Sequence, residues 1–284
     1  MVLKEKGVIF AIDMEYMDNK IGRTFSIVSE EISSKYLERN VKVDFYVPDG
    51  YEISEEYSLL LINDGQDLFT MDFKSILEKY YSGGNKSLVI FVGIHCGADR
   101  KNEYGTAGES DYKGRGNKAG LYTDMIFEEL LPFVRKHSGI ESFKDKSYCG
   151  FSLGGLSALD IVWNYSGEFL NVGVFSGSLW WRNLSQEDPT FDEAEHRIMH
   201  THIKRGSYHP WLRFFFESGT LDEVADRNGN GIIDAIDDTT SLIEELVAIG
   251  YDRDNIKYLE IENGGHNVET WGKAFPDFLK WCWG

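Results

Sequence analysis

KSYCGFSLGGLSALDIVW, residues 146–163, runs from a strand-like segment through a glycine-rich turn into a helix-like segment. Ser152 lies at the turn, and Gly150 and Gly154 stand two residues to either side, which gives the pattern G-x-S-x-G. A serine at a sharp strand-to-helix turn is held in a strained conformation that projects its hydroxyl above the sheet edge. The backbone N–H of Leu153, at the start of the helix, can hold an oxyanion. The stretch therefore predicts a nucleophilic serine, the alternative being a plain glycine-rich turn.

The chain around this turn alternates short β-branched or aliphatic runs with longer segments of helical period. Strand-like runs begin at residues 41, 57, 87, 146, 172, 212 and 256, and helix-like segments begin at residues 120, 156 and 239. In the segment from residue 120, one apolar stripe recurs at helical spacing: Met125, Ile126, Leu130, Phe133 and Val134. The alternation predicts an α/β fold with a mostly parallel central sheet flanked by helices. We expect a single domain over residues 1–284, long enough to bury one large core.

Composition excludes several classes of protein. The net charge is −18, from 47 acidic and 29 basic residues, so the chain lacks the positive field that nucleic acid binding requires. The acidity favours solubility, with cation binding as the alternative. Three cysteines form no even framework, which argues against a disulfide scaffold: Cys96, Cys149 and Cys282.

The sequence predicts neither a signal peptide nor a membrane span. The apolar run near the N-terminus is interrupted by Asp13 and Glu15, and no run reaches transmembrane length. We expect no membrane association and a cytoplasmic location, or a periplasmic or secreted one if a leader was trimmed. The oligomeric state stays open.

Two long connections, residues 97–120 and 182–210, exceed ordinary loop length and suggest a lid or a binding loop. We expect five residues to contact substrate: Arg100, Glu103 and Tyr104 in the first connection, and Trp180 and Trp181 directly before the second. The alternative for the aromatic residues is packing in the core or the lid.

A serine nucleophile needs a base and an acid, which α/β-hydrolases supply in the order Ser, acid, His. His266 is the histidine that lies in a glycine-rich loop after a late strand, NGGHNVETW. Among the acidic residues of RFFFESGTLDE, Asp222 falls in the turn beyond the strand, where it can orient the imidazole. Glu223 is the nearer rival, and Glu217 is expected within the strand.

Four motifs together resemble the putative-esterase family of α/β-hydrolases, which includes esterase D, enterochelin esterases and feruloyl esterases. They are LLLINDGQDLF, GFSLGGLSAL, ESGTLDE and GGHNVETW, and they span positions 59 to 271. The resemblance implies an α/β-hydrolase fold and a triad of Ser152, Asp222 and His266. Many relatives have His-Gly after the third strand, where this chain has an aspartate-glycine-glutamine motif. The resemblance assigns the second oxyanion donor to the backbone N–H of Gln66.

A second motif, DRNGNGIIDAID, follows Asp222 and has calcium-loop spacing. Its oxygen-bearing side chains and its glycine occupy loop positions 1, 3, 5, 6, 9 and 12: Asp226, Asn228, Asn230, Gly231, Asp234 and Asp237. Ile232 at position 7 would offer its carbonyl. An aspartate at position 12 resembles dockerin loops more than EF-hands. The motif predicts a structural calcium ion in an inserted EF-hand or dockerin-like loop, the alternative being a solvated Asn-Gly turn.

These features predict a serine hydrolase that cleaves a small-molecule carboxylic ester through an acyl-enzyme, with no organic cofactor. Two alternatives remain. The same triad could transfer the acyl group to an alcohol other than water, as mycolyltransferase-like relatives imply. A calcium-stabilised binding domain with a vestigial site would be non-catalytic.

Overall fold

An eight-stranded sheet forms the centre of the protein. The computed structural model describes residues 23–50, 52, 56–85 and 87–284. The strands are β1 (Phe25–Ser34), β2 (Arg39–Pro48), β3 (Ser58–Asn63), β4 (Val89–Ile94), β5 (Lys146–Phe151), β6 (Asn171–Phe175), β7 (Arg213–Leu221) and β8 (Ile256–Gly265). Their order in the sheet is β1-β2-β4-β3-β5-β6-β7-β8. β2 pairs antiparallel with β1 and with β4, and all other neighbours are parallel, so the mostly parallel α/β fold is confirmed.

Helices cover both faces of this sheet. They are α1 (Asp67–Thr70), α2 (Phe73–Ser82), α3 (Arg100–Glu103), α4 (Ala119–Met125), α5 (Leu131–Ser138), α6 (Leu153–Asn164), α7 (Glu193–His196), α8 (Ile198–Lys204), α9 (Asp234–Ala248) and α10 (Val268–Trp283). A π-helical turn, Ile126–Leu130, joins α4 to α5, and a short 3₁₀ helix, Arg253–Asn255, precedes β8. The apolar stripe predicted from residue 120 onward lies along α4, the π-turn and α5.

Alternating side chains of the strands feed two separate apolar layers. Leu59 and Leu61 of β3 join a cluster with α4, α5, α6, α8 and α9, whereas Leu60 and Ile62 join a second cluster with α2 and α10. Every residue of β3 to β6 except Lys146 is buried, because helices exclude water from both faces of these strands. The packed helices therefore hold the carboxyl ends of these parallel strands in fixed positions.

The two long connections are more ordered than their composition suggests. The sequence predicts loops over residues 97–120 and 182–210, but the first contains α3 and the start of α4, and the second contains α7 and α8. Apolar side chains explain the difference in the second connection, because Ile198, Met199 and Ile203 of α8 are buried in the larger core cluster.

The sequence analysis also considered an N-terminal apolar run and membrane-spanning segments. The N-terminal run that is interrupted by Asp13 and Glu15 lies outside the described residues. Within the described part of the chain, no helix combines the length and the apolar character needed to cross a bilayer.

Candidate active site

Ser152 connects β5 to α6 in a strained conformation. Its φ of 56° and ψ of −123° lie in a region that non-glycine residues rarely adopt. Hydrogen bonds fix this backbone from both sides: the Ser152 N–H donates to the Phe175 carbonyl at 2.8 Å, and the Ser152 carbonyl accepts from the Ser178 N–H at 3.2 Å. The Ser152 and Ser178 Oγ atoms are 3.5 Å apart. The strand-to-helix turn predicted for Ser152 is the turn that the structure contains.

The glycines of the motif are required by close backbone approach. A Cβ atom on Gly150 would lie 2.3 Å from the Gly154 carbonyl oxygen, and one on Gly154 would lie 2.5 Å from Asp64 Oδ2. Neither neighbour is a flexible chain end, so a larger residue would displace the turn. The two glycines therefore hold Ser152 close to the loop that follows β3.

Backbone strain recurs along this edge of the sheet. Asp64 after β3, Ser152 after β5 and Ser176 after β6 have φ values of 60°, 56° and 45°. Each is the first residue beyond its strand. Strained residues persist where the surrounding structure over-determines them, and they concentrate in functional sites.

The acid and the imidazole come from the loops after β7 and β8. The charge of Asp222 raises the pKa of His266, although loss of hydration outweighs it and the net shift is downward. His266 lies at the solvent-exposed mouth of the site, with its ring edge-on to Trp271 at 5.5 Å. Burial raises the pKa of Asp222, and both of its carboxylate oxygens are shielded from solvent without a hydrogen-bond partner among the described residues.

Glu223 faces a different part of the molecule. Its pKa is raised by burial and by the charges of Asp234 and Asp238, and the positive charge of Arg227 opposes that rise. These groups belong to the loop and helix beyond the acid turn. The electrostatic environment therefore links Asp222, and not Glu223, to His266.

Trp271, which the sequence analysis missed, connects the serine turn with the imidazole. Its ring stacks on Phe151, the residue before Ser152, at 5.0 Å and 18°, and contacts His266 on another side. Its indole N–H donates to Ser176 Oγ at 2.9 Å. GGHNVETW contains this tryptophan, but no feature of the motif distinguishes a residue of the site from one of the core.

The two predicted oxyanion donors lie at helix starts. Leu153 is the first residue of α6, and Gln66 immediately precedes α1, so neither amide has an acceptor within its own helix. In the described chain, neither amide donates to a carbonyl in a turn, loop or cap. The Gln66 side chain fixes its own loop by donating to Asp64 Oδ1 at 3.2 Å and accepting from the Cys96 N–H at 3.1 Å.

Arg100 reaches the site from the first long connection. Its Nε and Nη2 atoms donate to the two oxygens of Asp64 at 2.7 and 2.6 Å, and Nη2 also lies 3.3 Å from the Phe151 carbonyl oxygen. Its positive charge helps to lower the pKa of His266. The partly exposed guanidinium therefore borders the space between the serine turn and the imidazole.

The other residues expected to contact substrate are placed differently. Glu103 is buried in a bidentate pair with Arg39, at 2.8 and 2.6 Å. Tyr104 and Trp181 have no exposed surface, and the Tyr104 hydroxyl accepts from the Asp64 N–H at 3.2 Å. Trp180 alone of these four is partly exposed. Glu103, Tyr104 and Trp181 are therefore structural in this conformation, because an aromatic-rich connection supplies its own core.

The predicted calcium loop lies between Asp222 and α9 as a compact turn. Asn228 Nδ2 and Asn230 Nδ2 lie 2.8 and 3.4 Å from the Asp237 oxygens, and the Gly231 N–H donates to Asp226 Oδ2 at 2.9 Å. The Ile232 N–H donates to Asn230 Oδ1 at 2.8 Å.

Asp234, at the ninth position of this loop, is bound by Arg227. Asp234 accepts from the Arg227 N–H at 2.8 Å and pairs with the Arg227 guanidinium at 3.2 Å. Within the described residues, no group of three or more His, Cys, Asp or Glu side chains is arranged to hold a metal ion. The oxygen donors that converge here include two asparagine amides.

The strand order, and the place of Ser152 directly after β5, define a member of the α/β-hydrolase class. A family model described as "Putative esterase" matches residues 34–282, most of the chain. The chain belongs to this family, as the four sequence motifs imply.

The sequence is similar to that of an enterobactin esterase. The chain is 28% identical over 162 residues to an iron(III) enterobactin esterase of Dickeya dadantii (strain 3937); the match covers 55% of this chain and 34% of that protein. The chain thus spans about a third of the length of that curated relative.

Solved structures share the fold. A ferulic acid esterase has a TM-score of 0.67 at 16% identity, with 92% of this chain and 98% of that chain covered. A siderophore hydrolase from Aspergillus nidulans has a TM-score of 0.66 at 19% identity, covering 89% and 94%. The enterobactin esterase of Shigella flexneri, solved with 2,3-dihydroxy-N-benzoyl-glycine, has a TM-score of 0.63 at 20% identity, covering 90% and 59%.

Proposed function

We propose that this protein is a serine hydrolase that cleaves a carboxylic ester through an acyl-enzyme intermediate. The observation that carries the proposal is Ser152, held at a positive φ between a buried strand and a helix start, in a turn that Trp271 connects to His266, whose pKa responds to Asp222. Membership of the esterase family supports the same reaction. A plain glycine-rich turn would need neither the strain nor the connection to His266 through Trp271.

Each of these groups has a separate role in the proposed reaction. Ser152 Oγ attacks the ester carbonyl carbon while His266 takes the hydroxyl proton, and the same imidazole then protonates the leaving alcohol. The amides of Leu153 and Gln66 stabilise the oxyanion of the tetrahedral intermediate. Asp222 orients the imidazole and stabilises its protonated form. Water then attacks the acyl-enzyme with His266 as base, which releases the acid and restores the serine.

The lowered pKa of His266 suits this cycle. Loss of hydration keeps the imidazole neutral to a lower pH than usual, so it is ready to accept a proton. The ester activity should therefore fall only below the ordinary histidine range.

We propose an ester that carries an aromatic group as the substrate. Support comes from the names of the relatives, a ferulic acid esterase and enterobactin esterases. Arg100 and the partly exposed Trp180 can contact such a group, since a cation and an indole both bind aromatic faces. A screen of acetyl, feruloyl and catecholate esters tests this choice, and a preference for the acetyl ester would contradict it.

Hydrolysis of p-nitrophenyl acetate tests the reaction itself. Ser152→Ala or His266→Ala should lower kcat about a thousandfold or more, because the members of a triad act as one unit. Ser82→Ala, at an exposed serine of α2, is the matched control and should keep wild-type rates. A fluorophosphonate should label Ser152. Labelling at another residue would contradict the assignment, and a product ester formed from an added alcohol in preference to the free acid would favour acyl transfer.

We also propose that the 226–237 loop binds a structural calcium ion. Side-chain oxygens of Asp226, Asn228, Asn230 and Asp237, with the Ile232 carbonyl, would hold it, and Asp234 would contribute through water because Arg227 engages its carboxylate. The ion would order the turn beyond the acid loop without touching the substrate. Gly231, at a φ of 84°, permits the sharp bend that such a loop requires.

Chelation tests the calcium site. A ligand that binds only the native state stabilises it by about 2.7 kcal/mol at a hundredfold excess over Kd, so EDTA should lower the Tm and calcium should restore it. Magnesium should restore it poorly. Asp226→Ala should make the Tm indifferent to EDTA, whereas Asp252→Ala, at an exposed aspartate in another turn, should not. An unchanged wild-type Tm, together with no calcium by elemental analysis, would leave an ordinary Asn-Gly turn.

A further inference from the structure

Arg227, five residues after Asp222, is a largely buried cation that the proposed mechanism does not use. Its guanidinium donates to both carboxylate oxygens of Glu193 in α7, at 2.5 and 3.0 Å. It also donates to Asp238 of α9 at 3.0 Å, and Asp234 is a third acid at 3.2 Å. The exposed fractions of the Arg227 and Asp238 side chains are 11% and 1%. Water screens such buried charges weakly, so Arg227 can hold α7 against the loop that follows β7.

Arg197, between α7 and α8, connects the same acids to the backbone of the second long connection. Its Nη1 atom donates to Asp238 Oδ1 at 2.8 Å, and its Nε atom lies 3.1 Å from a carboxylate oxygen of Glu193. Its backbone pairs with Arg182 in an isolated antiparallel bridge. One residue therefore belongs both to the group of charges around Arg227 and to the bridge.

The bridge joins residues 181–183 to residues 196–198, which we call the bridged segment. The Asn183 N–H donates to the His196 carbonyl at 3.1 Å, and the Ile198 N–H donates to the Trp181 carbonyl at 2.9 Å. Two hydrogen bonds between isolated extended residues form a weak pairing by themselves. The orientation of residues 181–183 therefore depends on what holds residues 196–198 in place.

Trp180, at the rim of the site, directly precedes the bridged segment. It lies two residues after Ser178, whose N–H donates to the Ser152 carbonyl at 3.2 Å. Its ring is partly exposed, whereas Trp181 is fully buried. The guanidinium of Arg115, from the first long connection, lies 5.1 Å from the centre of each of the two rings. Trp180 is thus held between a residue that is bound to Ser152 and the bridged segment.

We propose that Arg227 is a positioning residue for substrate recognition. Its pairs with Glu193 and Asp238 fix the bridged segment, and the bridged segment fixes the Trp180 ring, which contacts the aromatic group of the ester. This inference rests on the ester hydrolase function proposed above. Arg227 acts only through the bridged segment and touches neither the substrate nor the reacting atoms.

Two esters separate this role from a contribution to stability alone. Methyl ferulate and methyl acetate share the leaving alcohol and differ in the aromatic acyl group. An ion pair that served only stability would change the Tm and leave the kinetic constants of the folded protein unchanged. A positioning role raises KM for the aromatic ester and leaves kcat unchanged, because the contact that is lost is a binding contact.

Two charge variants test the proposal from opposite ends of the pair. Arg227→Gln and Glu193→Gln should each raise KM for methyl ferulate about fivefold, the size of one aromatic contact, with kcat within about twofold of wild type. KM for methyl acetate should change less than about twofold. Glu193 lies outside the 226–237 loop, so its variant keeps the proposed calcium ligands. Glu193 is also partly exposed, so its variant keeps the test possible if Arg227→Gln does not fold.

Glu195→Gln is the matched control. Glu195 is an exposed acid of the same helix, and its partners Lys204 and Arg205 belong to the same connection. Its removal therefore deletes ion pairs of α7 without releasing α7 from Arg227. We expect wild-type kinetic constants for both esters.

A double variant shows whether the effect passes through Trp180. Trp180→Ala should itself raise KM for methyl ferulate about fivefold. Arg227→Gln should then add less than about twofold in the Trp180→Ala background, because residues that act through one contact are not additive. Full additivity of the two changes, or a wild-type KM in Trp180→Ala, would overturn the inference.

Hydrogen exchange gives a readout that does not need activity. The amides of Asn183 and Ile198 should exchange about tenfold faster in Arg227→Gln and Glu193→Gln than in the wild type and in Glu195→Gln, because the bridged segment opens more often. Unchanged exchange at both amides would overturn the inference, and so would faster exchange with an unchanged KM. Failure of the proposed hydrolase function looks different, since wild-type protein would then hydrolyse neither ester and accept no fluorophosphonate at Ser152.

Discussion

Two buried carboxyl groups flank Ser152 and are compensated in opposite ways. Asp64, after β3, is 1% exposed and is bound at both oxygens by Arg100 at 2.7 and 2.6 Å. Glu217, in β7 on the other side of the serine, has no exposed surface and faces Asp222 in place of a cation. A guanidinium neutralises the first group, whereas burial and the charge of Asp222 raise the pKa of the second.

The difference separates structural rigidity from sensitivity to pH. Burial lowers the pKa of Arg100 but Asp64 raises it more, so the guanidinium stays charged well above neutral pH. Glu217 loses its proton when the pH passes about 8. We infer that the Asp64 side of the site supplies a fixed frame, whereas the charge on the Glu217 side depends on pH.

The largest effect is expected from removal of the charge at Asp222. Asp222→Asn should lower kcat by as much as about 10⁴-fold, the loss seen when a triad acid can no longer fix the imidazole tautomer. Glu223→Gln should change kcat less than about threefold, because its surroundings are the charges of Asp234, Asp238 and Arg227. Steady-state hydrolysis of p-nitrophenyl acetate measures both, and the reverse order would exchange the roles of the two acids.

The next largest effect is expected on stability, from loss of the Asp64–Arg100 ion pair. Asp64→Asn leaves the Arg100 guanidinium without its counterion and should lower the free energy of unfolding by about 3 kcal/mol, somewhat less if solvent reaches the exposed part of Arg100. Adding Arg100→Gln should restore part of that loss, since the unpaired charge is then gone. Urea unfolding measures both. A single variant within about 0.5 kcal/mol of wild type would show that the pair contributes little.

Glu217 should instead make stability depend on pH. Because the pKa of Glu217 is raised from 4.5 to about 8 on folding, the native state binds the extra proton between those values. Stability from this group is complete below about pH 4.5 and is lost as the pH rises toward 8, at no more than about 1.4 kcal/mol per pH unit. Glu217→Gln should remove this component from urea unfolding curves recorded across that range. Curves that keep the wild-type slope would contradict the assignment.

The smallest effect is expected at Cys96, whose reactivity depends on the negative charge of Asp64. Burial and Asp64 raise the pKa of the Cys96 thiol to about 12, while Arg100 opposes them. Iodoacetamide should therefore react very slowly with the native wild-type protein at pH 8, since the thiolate is the nucleophile. Asp64→Asn should speed alkylation of Cys96 several-fold, as mass spectrometry of peptides can measure. Equal rates in the two proteins would show that burial alone suppresses the thiolate.

The sequence was sufficient for the parts of the site that local backbone chemistry determines. Gly150 and Gly154 surround Ser152 because neighbouring atoms approach too closely for a Cβ. Both glycines lie within two residues of Ser152, so the requirement can be recognised from a short stretch of sequence. The seven predicted strands all form, and their apolar runs are buried in β2 to β7 and partly buried in β8. β1, α2 and α10 were not predicted, since their patterns are polar or mixed.

The parts that depend on long-range pairing were not accessible from the sequence. Arg100 was expected to contact substrate, but its partner Asp64 lies 36 positions earlier and only the fold brings the two together. Tyr104 and Trp181 were expected at the rim, yet they are fully buried, because aromatic residues in a long connection suit a lid and a core equally well. The pairing of Arg227 with Glu193 spans 34 positions. The calcium loop stays a prediction.

The positive φ values of Asp64, Ser152 and Ser176 have a consequence for selection experiments. A non-glycine residue in such a conformation costs about 1–3 kcal/mol, which glycine avoids. Ser152→Gly should therefore be inactive and yet more resistant to heat than the wild-type protein. A library screened only for survival at high temperature would enrich such variants, so directed evolution of this chain toward thermostability needs a catalytic screen at every round.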